Sequence, residues 1–253
     1  MQQPIQIETI LAFEDNYIWL LHNGHDAIVI DPGDSAPVIA ALKALHLTLS
    51  AILITHHHAD HIGGVSNLKE HYSVPIYAPG YEQFPFQHIA VREGDHIDLP
   101  ALDLTLSVLW LPGHTLGHIA FFNQDYLFCG DVLFGAGCGR LFEGTPAQML
   151  HSLNRLKSLK TDTKVYCTHE YTCKNIDFAL TVDPNNQALI DRKLSASQLR
   201  KENKPTLPTT IELELNTNPF LRCNDASIRQ YANVVDTDEL SVFSKIRTLR
   251  NHY

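Results

Sequence analysis

The chain has 253 residues, 44% of them hydrophobic and 19% charged, which is enough apolar material for a sizeable core and excludes a disordered chain. Its net charge of −9 argues against phosphate-backbone binding as the main task, and no apolar run approaches the ~20 residues that span a bilayer. Neither a nucleic acid nor a membrane is therefore an expected partner. The opening Met1-Gln2-Gln3-Pro4-Ile5-Gln6 has neither the basic start nor the apolar stretch of a signal peptide. Five cysteines (Cys129, Cys138, Cys167, Cys173 and Cys223) do not form a disulfide framework in a chain of this size, so a reduced cytoplasm is expected. The unusual count is 15 histidines, several of them crowded together.

In chain order, Ile5–Ile10 alternates apolar and polar residues as a half-buried strand does, and Tyr17–Leu21 and Ala27–Ile30 are rich in β-branched and aromatic residues. The third run stops at Asp31-Pro32-Gly33, and a helix over Pro37–Leu45 then leads into the fully apolar strand Ala51–Ile54. Further strands are expected at Pro75–Ala78, Leu104–Leu111, Ile119–Phe122, Tyr126–Cys129 and Lys164–Cys167. Thr145-Pro146 supplies an N-cap and an N1 proline for a helix carrying Met149, Leu150, Leu153, Leu156 and Leu159. After His169 the texture becomes helical: Ile176–Thr181, Gln187–Asn203, Asp225–Val234 and Glu239–Leu249, the last capped by Asp236 or Thr237, with Pro205 and Pro208 breaking the chain between two of them. An α/β body over residues 1–170 followed by a helical region over residues 171–253 is the expected organisation.

The stretch that carries chemistry is Thr55-His56-His57-His58-Ala59-Asp60-His61, directly after the apolar strand and running into Gly63-Gly64. A loop at a strand end points alternate side chains to different sides, so His56 and His58 can share one cation while Asp60 and His61 turn towards a second. Imidazole and carboxylate suit zinc, iron or manganese, and the ligand types alone do not choose between them. His114, Asp131 and His169 each follow a strand. Any one of them alone reads most simply as a turn or surface residue. The H-x-H-x-D-H pattern of His56, His58, Asp60 and His61 is another matter, because such a cluster rarely arises as a packing solution. His57 reads as facing away from the others, while Asp31 and His118 are candidates for orienting the ligands from behind.

These residues resemble the metallo-β-lactamase superfamily, and the resemblance is closer to its glyoxalase II (hydroxyacylglutathione hydrolase) branch. The run Cys138-Gly139-Arg140-Leu141-Phe142-Glu143-Gly144-Thr145, the segment Thr168-His169-Glu170-Tyr171-Thr172 with Asn175, and Asn218-Pro219-Phe220-Leu221-Arg222 are similar to that branch's motifs, so that the likeness covers essentially the whole chain. It implies an αβ/βα metallo-β-lactamase sandwich with a C-terminal helical region. It also implies two divalent ions per chain, zinc first among them with iron or manganese as alternatives. His56, His58 and His114 would form one site; Asp60, His61 and His169 would form the other; Asp131 would bridge both. Where the branch usually has Lys and Tyr, this chain has Arg140 and Phe142, and its last helix ends Arg247-Thr248-Leu249-Arg250-Asn251 in place of Arg-x-x-Lys-Asp. These departures bear on how glutathione is gripped.

The implied reaction is hydrolysis of S-D-lactoylglutathione to D-lactate and glutathione, in methylglyoxal detoxification. A metal-bridged hydroxide would be the nucleophile, with Asp60 and Asp131 serving catalysis through it, and the expected partner is a small glutathione thioester bound by a monomer. Arg140, Phe142, Tyr171, Asn175, Arg247 and Arg250 would bind the substrate, the arginines meeting its carboxylates. A β-lactamase or lactonase fits the C-terminal residues less well, a persulfide dioxygenase needs only one iron, and a nuclease is disfavoured by the charge. A non-catalytic metal module is the alternative of a different class, but a structural zinc needs only four ligands.

Overall fold

The computed structural model describes residues 4–236 and 238–253 and divides into two compact units. The first runs to Trp110 and takes in Gly117–Asn123 and Leu127–Gly130; the second holds Leu111–Leu116, Gln124–Tyr126 and Asp131–Tyr253.

In the first unit, β1 (Gln6–Ala12), β2 (Asn16–His22), β3 (Asp26–Ile30), β4 (Thr48–Leu53), β5 (Ile76–Pro79) and β6 (Ile89–Val91) pair in sequence order to form one sheet. The first three strands are antiparallel and β3 to β6 are parallel. Parallel neighbours require crossovers, supplied by α1 (Ser35–Ala44) between β3 and β4, and by α2 (Ala59–Ile62) and α3 (Val65–His71) between β4 and β5. Val38 and Leu42 of α1 and Val65 and Leu68 of α3 bury themselves with Ile18, Leu20, Val29, Ile52 and Ile54. Each such side chain contributes about 1.5–3 kcal/mol by leaving water. Ile28, Val29, Ile52 and Leu53 are fully buried, as a continuous apolar run in a parallel strand demands. Four further strands, β7 (His96–Leu99), β8 (Leu104–Trp110), β9 (Ile119–Phe122) and β10 (Tyr126–Gly130), follow as an antiparallel ladder.

The second unit contains the short hairpin β11 (Leu133–Phe134) and β12 (Gly137–Cys138), the pair β13 (Lys164–Cys167) and β14 (Thr209–Thr210), and most of the helices. Helix α4 (Pro146–Lys157) begins as expected: Thr145 Oγ1 accepts from Gln148 N, the Gln148 side chain returns a bond to Thr145 N, and Pro146 stands at N1. It stops at Lys157, where the Ser158 hydroxyl donates to Arg155 O, so Leu159 lies beyond the helix it was expected to join. Helices α5 (Thr172–Val182), α6 (Gln187–Lys201), α7 (Ile211–Thr217), α8 (Ala226–Ala232) and α9 (Glu239–Asn251) complete the chain. The cap of α9 corrects the sequence reading. Asp238 accepts from Leu240 N and Ser241 N, so Asp236 is not the cap, and Thr237 lies outside the described residues.

A buried ion pair organises this unit. Glu214 on α7 is fully buried and accepts from Arg192 Nη2 at 2.5 Å, Thr209 Oγ1 at 2.7 Å, and both Ala136 N and Asn218 Nδ2 at 2.9 Å. Arg192 is spent in turn on Thr209 and Thr217. One carboxylate therefore ties α6, α7, β14 and the turn between β11 and β12 together.

Asp183, after α5, provides a pH-sensitive bond of the same kind. Burial works against its charge, but hydrogen bonds from Ser227, Asn186 and Arg222 outweigh burial and hold its carboxyl below the usual range. A carboxyl depressed in the folded state stabilises the fold above its unfolded pKa of about 3.9, and that stability is lost as pH falls through the lower folded value. Asp183→Asn is expected to lower the urea midpoint at pH 7, with the gap to the parent chain narrowing below about pH 4. A gap independent of pH would contradict this assignment.

Candidate metal centre and adjoining cavity

The histidine-rich loop of the first unit leaves the C-terminal end of β4, the position at which parallel sheets present their loops to ligands. Ile119 N bonds to Thr55 O at 3.0 Å and anchors the start of this loop. Asp31, held in a left-handed backbone conformation (φ 51°) and fully buried, accepts from Thr55 N and Thr55 Oγ1, both at 2.7 Å. Its Oδ2 also lies 3.0 Å from His61 Nδ1, and Thr55 Oγ1 lies 3.1 Å from His56 Nδ1. The carboxylate can only accept, and the threonine proton is already given to it. Both histidines must therefore carry their proton on Nδ1, leaving Nε2 of each as the lone-pair nitrogen.

The ligand atoms then converge. His56 Nε2 lies 3.0 Å from His58 Nδ1, and His61 Nε2 lies 3.6 Å from Asp60 Oδ2. His118 stacks on His56 with ring centroids 4.6 Å apart. Gly130 (φ 47°) permits this packing, since a Cβ there would come within 2.4 Å of Thr55 Oγ1 and 2.8 Å of His118 Nε2. His57 turns elsewhere, its Nδ1 3.1 Å from the buried Glu82 carboxylate. The close approach of Gly63 to the backbone is equally strict, with a Cβ meeting Gly33 O at 2.6 Å.

The second unit brings together His114, Asp131 and His169. Nε2 of His114 and of His169 lie 3.4 and 3.3 Å from the same Asp131 Oδ2. His114 Nδ1 donates to the Arg140 carbonyl at 2.8 Å, so the nitrogen facing Asp131 is again the one with the lone pair. Tyr171 lies flat against His169 (centroids 4.7 Å apart, 3° between planes), and Phe134 meets both rings edge-on.

In each unit, imidazole nitrogens and carboxylate oxygens are thus gathered 3.3–3.6 Å apart. Ligands held at 2.0–2.2 Å from a tetrahedral cation stand roughly 3.4 Å from one another. The donor set and its spacing fit divalent metal, and the Asp31 and Arg140 carbonyl bonds are the outer contacts that fix histidine ligands in one tautomer.

A cavity of about 330 Å³ opens beside the second group, within the usual range for small-molecule sites. Its walls include His114, Asp131, Arg140, Phe142, Tyr171, Asn175, Arg247 and Arg250, together with Phe134, Cys138 and Asn251. The last three were not singled out from the sequence, although Cys138 and Asn251 lie inside its motifs. Arg250 directs Nε and Nη2 to Asn175 Oδ1 at 3.3 and 3.1 Å, while Asn175 Nδ2 donates to Gly135 O at 3.1 Å. Burial and the neighbouring Arg247 cation both lower the Arg250 pKa, the signature of a cation poorly compensated by anions. Arg247 is buried against the Phe220 ring and donates to Cys138 O at 2.8 Å and Asn251 Oδ1 at 3.0 Å. Arg140 sits over the exposed Phe142 ring, 5.4 Å from its centroid. Burial pushes the Cys138 thiol up despite Arg247, so it is a protonated wall residue and no nucleophile.

The α/β fold and histidine-rich loop define a metallo-β-lactamase-superfamily protein: residues 12–169 match that superfamily, and residues 170–253 match the hydroxyacylglutathione hydrolase C-terminus. A B3 metallo-β-lactamase, BLEG-1, superposes with a TM-score of 0.66 at 26% identity over 86% of this chain and 100% of its own. The structure of TTHA1623 in a di-iron-bound form superposes with a TM-score of 0.61 at 26% identity over 84% of this chain and 98% of its own. The hydroxyacylglutathione hydrolase of Methylobacillus flagellatus is 52% identical over 98% of this chain and 99% of its own length. The chain belongs to the hydroxyacylglutathione hydrolase family. Among the described residues no helix is long and apolar enough to cross a membrane, and none of the five cysteines is in a disulfide.

Proposed function

We propose that the chain hydrolyses S-D-lactoylglutathione to D-lactate and glutathione, using two divalent ions with zinc the leading choice. His56, His58 and His114 hold one ion, Asp60, His61 and His169 the other, and Asp131 serves both. The observation that carries this reading is the pair of imidazole Nε2 atoms trained on the single Asp131 Oδ2, beside a cavity lined by arginines. The di-iron form of TTHA1623 supports a count of two. Bound divalent ions supply a water acidic enough to ionise near neutral pH and polarise the thioester carbonyl.

The protein's own residues provide the rest. Asp131, Asp60 and the Nε2 atoms set the charge and orientation of the centre, and Asp31 and the Arg140 carbonyl keep the imidazoles in the required tautomer. Arg140 and Arg250 receive the carboxylates of glutathione, Tyr171 and Asn175 hydrogen-bond its amides, and residues 171–253 act as the glutathione-binding region. Phe142 contributes an apolar edge where a tyrosine would add a hydroxyl. A thiolate leaves readily, its conjugate acid having a pKa of about 8.5, so no strong protein acid is required. The net charge of −9 and the five free cysteines fit a monomer acting on a small substrate in the cytoplasm.

The two C-terminal arginines are expected to behave differently. Arg250→Ala should raise KM by about 10- to 100-fold with little change in kcat, because it removes a charged bond remote from the reacting carbon. Arg247→Ala should raise KM and also lower stability by about 1–3 kcal/mol, because the Cys138 carbonyl loses its buried donor. Steady-state kinetics and urea melts of both variants check this; identical behaviour in both assays would contradict it.

The reaction itself is tested by following thiol release, D-lactate and dissolved oxygen together. One thiol per lactate with no oxygen consumed is the expected result. Oxygen uptake with a glutathione persulfide, and no thioester turnover, would replace the reading with a dioxygenase.

A further inference from the structure

We infer that Asn16 is a positioning residue for Asp60 and determines whether the chain holds its second metal ion; the inference rests on the two-ion reading above. Asn16 opens β2, pairs across the strands with Ala12, and is 6% exposed. Its Nδ2 donates to Asp60 Oδ2 at 2.9 Å and lies 3.5 Å from Asp60 O. Those two contacts join residues 44 positions apart and link the β1–β2 hairpin to the loop that carries the ligands.

Two histidines of that loop are already fixed by burial: His56 and His61 are fully buried, and Thr55 and Asp31 orient their rings. Asp60 differs, since its side chain is 41% exposed and packing alone does not determine its rotamer. An amide bond to one carboxylate oxygen restrains the rotation of that side chain and sets where its oxygen points. The hairpin is itself held firmly. Phe13, directly after β1, takes a left-handed backbone (φ 52°), which is unusual for a bulky side chain. Its ring edge and the Asp60 carbonyl both crowd the point where a Gly33 side chain would stand, 3.0 and 1.8 Å from it. The Phe13 ring edge and the Asp60 carbonyl therefore border the same Gly33 backbone, which brings the β1–β2 turn close to the ligand loop. Outer hydrogen bonds of this kind commonly control metal affinity by about 10- to 100-fold.

The test is zinc binding, read by competition with a chromophoric chelator and by elemental analysis, on the full chain stripped of metal. Asn16→Ala is expected to bind its first ion as the parent does and its second about 10- to 100-fold more weakly. Asn16→Ser, which keeps a donor on a shorter side chain, should lose less and serves if the alanine variant does not fold. A parent chain that binds only one ion defeats the two-ion reading. A parent that binds two, with variants that also bind two at unchanged affinity or lose both ions equally, overturns the role of Asn16 alone.

Discussion

Asp131→Ala is expected to remove metal and turnover together. The residue is 6% exposed, and Nε2 of His114 and of His169 both face its Oδ2 within 3.4 Å. Removing the carboxylate leaves those imidazoles without the anion that balances a divalent charge, and the proposed assignment gives both ions this ligand. Activity should fall by on the order of 10³-fold or more, since the electrostatic stabilisation and the acidic water are lost at once. Asp131→Asn keeps the volume while dropping the charge, and so separates packing from electrostatics. It should fold with an unchanged urea midpoint in the presence of chelator, yet bind fewer than two ions. Elemental analysis of both variants beside their kinetics checks this, and a full complement of metal with parental turnover would refute the bridging role.

The second large effect lies away from the metal. Glu214→Ala is expected to destabilise the second unit by about 3–5 kcal/mol, because it leaves the Arg192 guanidinium buried without its counter-charge. The Ala136 amide and the Asn218 side chain lose an acceptor in the same step. Ala136 forms the turn between β11 and β12, and this hairpin brings Phe134 and Cys138 to the cavity wall. The variant should therefore also bind glutathione more weakly under conditions where it remains folded. Replacing Arg192 and Glu214 together by apolar residues of similar size should recover part of the lost stability, as paired removal leaves no orphan charge. Urea denaturation of the single and double variants measures both effects; a single variant within 1 kcal/mol of the parent would mean that the pair does not hold the unit together.

What could be read in the sequence follows from how local each feature is. The histidine-rich loop was legible because His56, His58, Asp60 and His61 stand in an H-x-H-x-D-H pattern directly after an apolar strand. The start of α4 was legible for the same reason, since Thr145, Pro146 and Gln148 form its cap among themselves. Asn16 was not legible, because its partner is 44 residues away and nothing in Asp15-Asn16-Tyr17 distinguishes a ligand clamp from a hairpin turn. Nothing in the local sequence around Arg192 or Glu214 marks either as buried, and only tertiary packing reveals that both are. Helix α7 was concealed by its own sequence: Ile211-Glu212-Leu213-Glu214-Leu215 alternates with a period of two, while the Thr210 cap and the burial of Ile211 and Glu214 make it helical. Strand β6 has only three residues and two of them are exposed, so its periodicity carries no signal.

The central claim is a metal-dependent hydrolase that selects the glutathione half of its substrate. It is tested most directly by steady-state hydrolysis of S-D-lactoylglutathione beside a simple acyl thioester lacking glutathione, before and after chelation. A large kcat/KM advantage for the glutathione thioester is expected, abolished by the chelator and restored by added zinc, iron or manganese. Equal activity on the two thioesters, or turnover that survives complete removal of metal, would contradict it.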